Sequence, residues 1–398
     1  MTEAGAVEVY YDPFDFEIDN DPYPAWKLLR DEAPLYYNDK FDFYALSRYE
    51  DVARELPNWE SYRSGRGTTM DVITSGVEVP PGVILFEDPP LHDLHRRLLS
   101  RVFTPRRMEE IEPLTRQFCV RALDPIIGST RFDFIGDIGA MVPMRTIGYL
   151  LGIPEEDQGG IRDKTDRALG LKEGTFRTVT ADAFENSFQL FAEYIEWRSD
   201  HPSDDLMTQL LNAEIEEDGA RRRLTRTEVL TYTSMIAGAG NETTTRLVGF
   251  IGQLLSEHPD QRRQLADDFS LIPRAIEEVL RYEAPSPVQA RYVARDVQCH
   301  GQTIREGSVM LLLNGSANRD ERHFPDAEKF DIHRSGGHLS FGQGLHFCLG
   351  SALARMQARV VLEEVLTRWP DWEVDYDNAT MAHTSSVRGW GKLPVTIG

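Results

Sequence analysis

The segment "LTRTEVLTYTSMIAGAGNETTTRLVGFIGQLLSEHP" constrains the fold more than any other. Its apolar spacing predicts one long helix, with Thr225 and Glu228 at capping-box spacing and Pro259 marking the stop. At 1.5 Å per residue such a helix would run roughly 45–50 Å, enough to cross a whole domain. Its middle works against helix propensity, because Gly238, Gly240 and the β-branched run Thr243-Thr244-Thr245 all fall there. A local conflict inside a strong element is where function tends to sit.

The remaining patterns are mainly helical. Apolar spacing of this kind recurs in "PYPAWKLLRDEAP", "LHDLHRRLLSRVF", "FENSFQLFAEYIEW", "IPRAIEEVLRYEAP" and "LGSALARMQARVVLEEVLTRW". Short strands are predicted at "PLYYND", "FDFYALS", "ARYVARDVQCH" and "SVMLLLNG". From Tyr62 to Glu87 runs a segment rich in Gly, Thr and Val, which reads as a long irregular connection and so as a functional loop. The resulting fold class is mainly α with small β-sheets.

Hydrophobic residues at 41% supply a substantial core, and a net charge of −22 argues against nucleic acid and anionic membranes as partners. No apolar run approaches the roughly 18–20 residues of a membrane span. The start, "MTEAGAVEVYYDPFDF", lacks the basic and apolar regions of a secretory signal. Cys119, Cys299 and Cys348 are too scattered to read as a disulfide framework, so a reducing cytoplasm is the expected location.

Against that background "FGQGLHFCLG" is unusual, because it sets Cys348 among three glycines just before a predicted helix. Zinc would need about four ligands, and only His346 and Cys348 are at hand. A dinucleotide fingerprint fails, since Phe347 stands where a third glycine is required. A nucleophilic cysteine, which needs a base and an orienting partner, stays open. So does a thiolate on iron. The glycines would admit backbone close to a flat cofactor, and the helix would present its N–H groups and positive end to the sulfur. Thiolate-ligated haem iron favours O–O bond cleavage.

Phe341-x-x-Gly344-x-His346-x-Cys348-x-Gly350 resembles the haem-binding loop of the cytochromes P-450, the haem-thiolate monooxygenases. Ala239-Gly240-Asn241-Glu242-Thr243-Thr244 resembles the family's oxygen-activating segment. There Ala239 and Gly240 would leave room for dioxygen and water, Thr243 would bond back to a carbonyl one turn earlier, and Glu242 would relay protons. Glu278-x-x-Arg281 resembles the family's buried structural pair, with Lys329 where an arginine often stands as third partner. His92, Arg96, Arg291 and His346 match positions that hold the haem propionates, and buried carboxylates need cationic partners.

The resemblance covers the chain from about Pro22 onward. It implies one domain over 1–398 with the family's triangular-prism fold, haem between the long helix and the Cys-loop helix, and 1–21 as an extension packed on the surface. It further implies haem b with iron on Cys348, and cofactor contacts from His92, Arg96, Ala239, Gly240, Arg291, Phe341, His346 and Gly350. Glu242 and Thr243 are the implied catalytic pair. The implied reaction inserts one oxygen atom of dioxygen into an apolar lipid, terpenoid or steroid-like molecule. Electrons would come from a ferredoxin and an NAD(P)H-dependent ferredoxin reductase. A peroxide-driven hydroxylase would typically lack the acid–alcohol pair, and a haem-based sensor or carrier would not need it. Substrate contacts are implied at 62–87, Leu169 to Phe184, Met235, Ala239, Pro287-Val288-Gln289 and Ser386-Val387. Donor docking is expected at Arg97, Arg101, Arg106, Arg107, Arg355 and Arg359.

Overall fold

The capping box forms in the computed structural model, which describes residues 9–100, 102–175, 178–189, 191–217 and 219–398. The Glu228 N–H donates to Thr225 Oγ1 and the Thr225 N–H donates to Glu228 Oε2. That locks the first turn of a 32-residue helix, Arg226–Glu257, about 48 Å long. Pro259 ends it and opens the next helix, where its missing N–H costs nothing.

The helices that position the site are α1 (Tyr49–Glu55), α2 (Leu91–Leu99), α3 (Pro105–Leu123), α4 (Val142–Leu151), α5 (the long helix, Arg226–Glu257), α6 (Ile272–Tyr282) and α7 (Ser351–Arg368). The long helix packs on α4, α6 and α7, and α7 also packs on α3 and α6. Val229, Ile236, Leu247, Phe250, Ile251 and Leu254 are all buried, as befits a helix that is apolar all round. This bundle forms the largest hydrophobic core.

The predicted strands pair into a sheet beside the bundle. β1 (Leu35–Asn38) and β2 (Phe43–Leu46) are antiparallel, β3 (Tyr62–Arg63) lies at the far edge, and β4 (Gln289–Val293) pairs with it. β5 (Val297–Cys299) and β6 (Gln302–Ile304) form a separate hairpin, and β7 (Val309–Leu312) fills the middle of the sheet. The order is β1-β2-β7-β4-β3, with β7 parallel to β2 and antiparallel to β4, so Arg291 stands opposite Met310. A last hairpin joins β8 (Thr380–His383) to β9 (Arg388–Lys392).

Two segments differ in kind from the sequence reading. The 62–87 stretch is partly ordered: β3, a short helix Met70–Ser75 and a 3₁₀ turn Ile84–Phe86 interrupt it. Met70, Val72 and Ile73 are buried there, and the short helix packs on β4. Before residue 21, expected to be a surface extension, Tyr11 and Phe14 join Trp26, Leu29 and Phe43 in a second core cluster. Among the described residues no helix is long and apolar enough to cross a membrane.

Candidate active site

Cys348 closes its loop by donating its own N–H to the Phe341 carbonyl at 2.8 Å. Gly344 has φ +72, and an added Cβ would lie 2.6 Å from Pro57 Cβ, so only glycine lets the loop turn against the end of α1. α7 begins three residues after the cysteine. Burial pushes the Cys348 thiol up, while the Gly350 backbone N–H, Arg96 and Arg355 pull the other way. The half-buried sulfur therefore sits in surroundings biased towards positive charge.

Four basic side chains converge beside it. His92 is buried on α2 and lies against His346, ring centroids 4.5 Å apart and planes tilted by 58°, and the Nε2 atoms of both rings are buried without a hydrogen-bond partner. Arg291 reaches in from β4, 3% exposed. Burial draws its guanidinium down to about 10, opposed by Asp88. Arg96 donates from Nη2 to the Phe347 carbonyl at 2.7 Å, and burial lowers it too. Burial, followed by repulsion from Arg291, His92 and Arg96, pulls His346 down to about 3. Asp88, the carboxylate acting on Arg291, is already engaged by the Ser64 and Gly65 amides. Two arginines beside two neutral imidazoles with orphaned Nε2 atoms make a cradle for anionic oxygen.

The centre of α5 opens where its propensity is poorest. Ala239 is exposed, and Gly240 and Thr243 are only partly covered, although the helix on either side is buried. The Thr243 hydroxyl donates to the Ala239 carbonyl at 3.1 Å, the back-bond expected from its sequence context. Gly240 differs from expectation. A Cβ there would sit 2.6 Å from Ile147 Cδ1, so this glycine lets α4 approach, while Ala239 borders the open space. Glu242 is buried and pairs with Arg246, Nη2 to Oε1 3.3 Å. Arg246 also donates to the Trp390 carbonyl on β9, and a Cβ on Gly389 would lie 2.7 Å from Arg246 Cβ.

Glu278 and Arg281 are both 3% exposed and joined by two bonds, Nε to Oε2 at 2.7 Å and Nη2 to Oε1 at 2.8 Å. The third cation is Arg334, whose Nε donates to Glu278 Oε1 at 3.2 Å. Lys329 is not that partner. It supplies only its backbone carbonyl, to Arg281 and Arg334. Arg281 also binds the Asn318 and Ala327 carbonyls, so the network braces the chain leading to the Cys loop.

Four sequence regions assigned to substrate meet around one cavity, through Thr69, Met70, Leu171, Pro287, Val288 and Val387, whereas Met235 and Ala239, assigned with them, do not line it. Tyr11 and Phe14 also line it, which sequence reasoning missed because nothing local tied the N-terminal segment to that place. Of the Leu169 to Phe184 stretch, Phe176 and Arg177 lie outside the described residues, as do the side chains of Leu169 and Phe184.

The arginines expected to meet an electron donor divide. Arg355 is bound by Glu277 through Nε and Nη2 at 2.6 and 2.8 Å, and Arg359 by Glu112 and Glu363, so these two serve internal pairs. Arg106 and Arg107 share Glu110 at 3.2 Å each, Arg97 is exposed, and Arg101 lies outside the described residues. A further pair went unread in the sequence: buried His95 binds buried Glu87, Nδ1 to Oε2 2.8 Å. It lies edge-on to Tyr232 of α5 and so ties the 62–87 segment to two helices.

The family model for cytochrome P-450 matches residues 174–381. Cytochrome P-450 130 of Mycobacterium tuberculosis is 36% identical over 94% of this chain and 95% of its own. The structure of cytochrome P-450 CYP109Q5 from Chondromyces apiculatus superposes with a TM-score of 0.85 at 33% identity, covering 97% of this chain and 98% of that one. CYP109E1 from Bacillus megaterium, solved in complex with testosterone, matches with a TM-score of 0.85 at 27% identity, over 96% and 99% of the two chains.

Proposed function

This chain belongs to the cytochrome P-450 family, the haem-thiolate monooxygenases, and from that premise we propose that Cys348 carries the iron of a haem b used to oxygenate an apolar, steroid-like or lipid-like molecule. The observation that carries the proposal is the cradle: His92 and His346 each hold an orphaned, buried Nε2 next to Arg96 and Arg291. That donor set, one soft sulfur with four basic groups beyond it, fits a flat metal cofactor bearing two carboxylates. Ala239, Phe341, Gly344 and Gly350, none of them fully buried, fit contact with its faces.

When bound, haem iron supplies dioxygen activation by two electrons and transfer of one oxygen atom. The chain has to do the rest. The Gly350 N–H and the nearby arginine charge favour the thiolate form of Cys348. Thr243 presents its hydroxyl oxygen at the open face of α5 while its proton rests on the Ala239 carbonyl. Glu242, oriented by Arg246, is the titratable group next in line and hands protons towards that hydroxyl. The apolar substrate class rests on the mainly apolar content of the assigned contact regions, which include Met70, Pro287, Val288 and Val387, and the testosterone-bound relative supports it. Electrons arrive from a ferredoxin and its NAD(P)H-dependent reductase.

Reduced protein under carbon monoxide tests the ligand. The red-shifted Soret band of thiolate ligation is expected in the native chain and absent in Cys348→Ala. A persisting band in the variant would overturn the assignment. Steady NAD(P)H consumption with both redox partners separates a monooxygenase from a gas-binding sensor.

A further inference from the structure

Outside the haem-side chemistry, the described residues contain one mixed cluster of metal-binding groups: Asp51 on α1, with Cys299 and His300 on the β5–β6 hairpin. We propose that Asp51, Cys299 and His300 form a three-ligand site for zinc or a similar borderline-soft divalent ion, with water as fourth ligand.

The placement is built by two elements. The hairpin turns on His300 and Gly301, at φ 48 and 74, and its last paired residues are Cys299 and Gln302. A two-residue turn of this kind ordinarily takes Asn-Gly, whereas a histidine here projects an imidazole from the tip. His300 Nε2 reaches Asp51 Oδ2 at 2.8 Å, and one ligand atom from each of the three residues lies within 4.8 Å of the others. Tetrahedral zinc with bonds of roughly 2.0–2.3 Å needs its ligands about 3.3–3.7 Å apart. The imidazole and carboxylate therefore open by about half an ångström, and the sulfur closes in by about an ångström at most.

Charge favours occupancy. Asp51 and Glu55 are buried, and Arg54 alone bridges them, Nη2 to Asp51 Oδ1 at 2.8 Å and Nε to Glu55 Oε1 at 2.7 Å. Two carboxylates against one guanidinium leave one negative charge in excess when the His300 imidazole is neutral. A divalent ion with a Cys299 thiolate brings the cluster to neutrality. To bind as a thiolate, Cys299 must give up its proton. On binding, the thiol proton leaves to solvent, the sulfur–metal bond forms and the imidazole keeps its proton on Nδ1. No oxidant or reductant takes part.

Asp51 Oδ2 and His300 Nε2 stay in contact without a metal, so the competing reading is a plain ion pair pinning the hairpin to α1. Zinc titrated into the holoprotein against a chromophoric chelator separates the two. One site per chain is expected, tightening about tenfold per pH unit as one thiol proton is released. Cys299→Ala and His300→Asn should each weaken it at least about 100-fold with the haem spectrum unchanged. Asn suits the turn, so that variant keeps the hairpin. Zinc-edge X-ray absorption should show one sulfur and lighter neighbours. Failure to bind one zinc per chain, unchanged binding in both variants, or an absorption edge without sulfur would each overturn the site. These outcomes are independent of whether Cys348 binds haem, which the carbon monoxide spectrum reports.

Discussion

His92 and His346 bring their rings to a centroid separation of 4.5 Å with both Nε2 atoms buried and unpaired, although 254 positions of sequence separate them (346 − 92). Neither gains from this in the absence of an anion. An anion accepting from both rings would explain the two positions together.

The first prediction follows from the sign of that arrangement. His346 is held near pKa 3, below its ordinary 6.5, by burial and by Arg291, His92 and Arg96. Between those values the unfolded chain binds the proton and the folded chain does not, so apoprotein stability falls as pH drops from about 6.5 towards 3. His346→Gln should flatten that loss in denaturant titrations of apoprotein. Haem loading should restore stability in the native chain, because propionates reward protonated imidazole. An equal pH slope in native and variant apoprotein would place His346 outside the cradle.

Arg334, and not Lys329, should matter for the support behind the Cys loop. Glu278 is 1% exposed at its side chain and receives a bond from Arg334 Nε. Arg334→Ala removes one charged hydrogen bond from a buried carboxylate, about 2 kcal/mol by urea denaturation. Lys329→Ala keeps the backbone carbonyl that Arg281 uses and should lie within about 0.5 kcal/mol of wild type. Equal costs would contradict the geometry.

Thr243 and Glu242 should separate coupling from turnover. Thr243→Ala removes the hydroxyl bonded to the Ala239 carbonyl, and NAD(P)H oxidation should continue with more hydrogen peroxide and less product. Glu242→Gln should slow turnover and enlarge the solvent isotope effect. Normal product yield per NAD(P)H in both variants would remove them from the proton path.

Electron transfer should depend on exposed cations and not on the α7 arginines. Arg355 and Arg359 are committed to Glu277, Glu112 and Glu363, whereas Arg97 is exposed and Arg106 is 89% exposed. Reversing Arg97 and Arg106 together should slow reduction by an acidic ferredoxin. The native rate should fall with salt, as expected when a Debye length of ~8 Å screens steering. Stopped-flow rates insensitive to both would locate docking elsewhere.

The long helix, its capping box and its weak centre were readable because local rules set them: a Thr-x-x-Glu start, an apolar girdle and a proline stop. The thiol loop and its four basic companions were legible only through their resemblance to the family's motifs, since each residue alone reads as an ordinary core or surface group. What escaped were pairings between distant segments. Lys329 was the third partner expected from sequence and Arg334 was not considered, because only the path of the backbone decides which cation reaches Glu278. Gly240 looked like clearance for small ligands, yet the clearance belongs to Ile147 of another helix. Tyr11 and Phe14 carried no sign of the cavity they border, since a wall is built by docking and not by periodicity.

Arg246 lies between the acid of α5 and the backbone of β9, and Gly389 leaves it the room to do so. Position 389 has φ +151, so any other residue would be strained there even before meeting the arginine. The consequence is that a glycine on the last hairpin and an acid on the long helix share one fate. Replacing Gly389 displaces Arg246, and replacing Arg246 removes the guanidinium outright, so either change loosens the hold on Glu242. Positions 242, 246 and 389 therefore act as one physical unit.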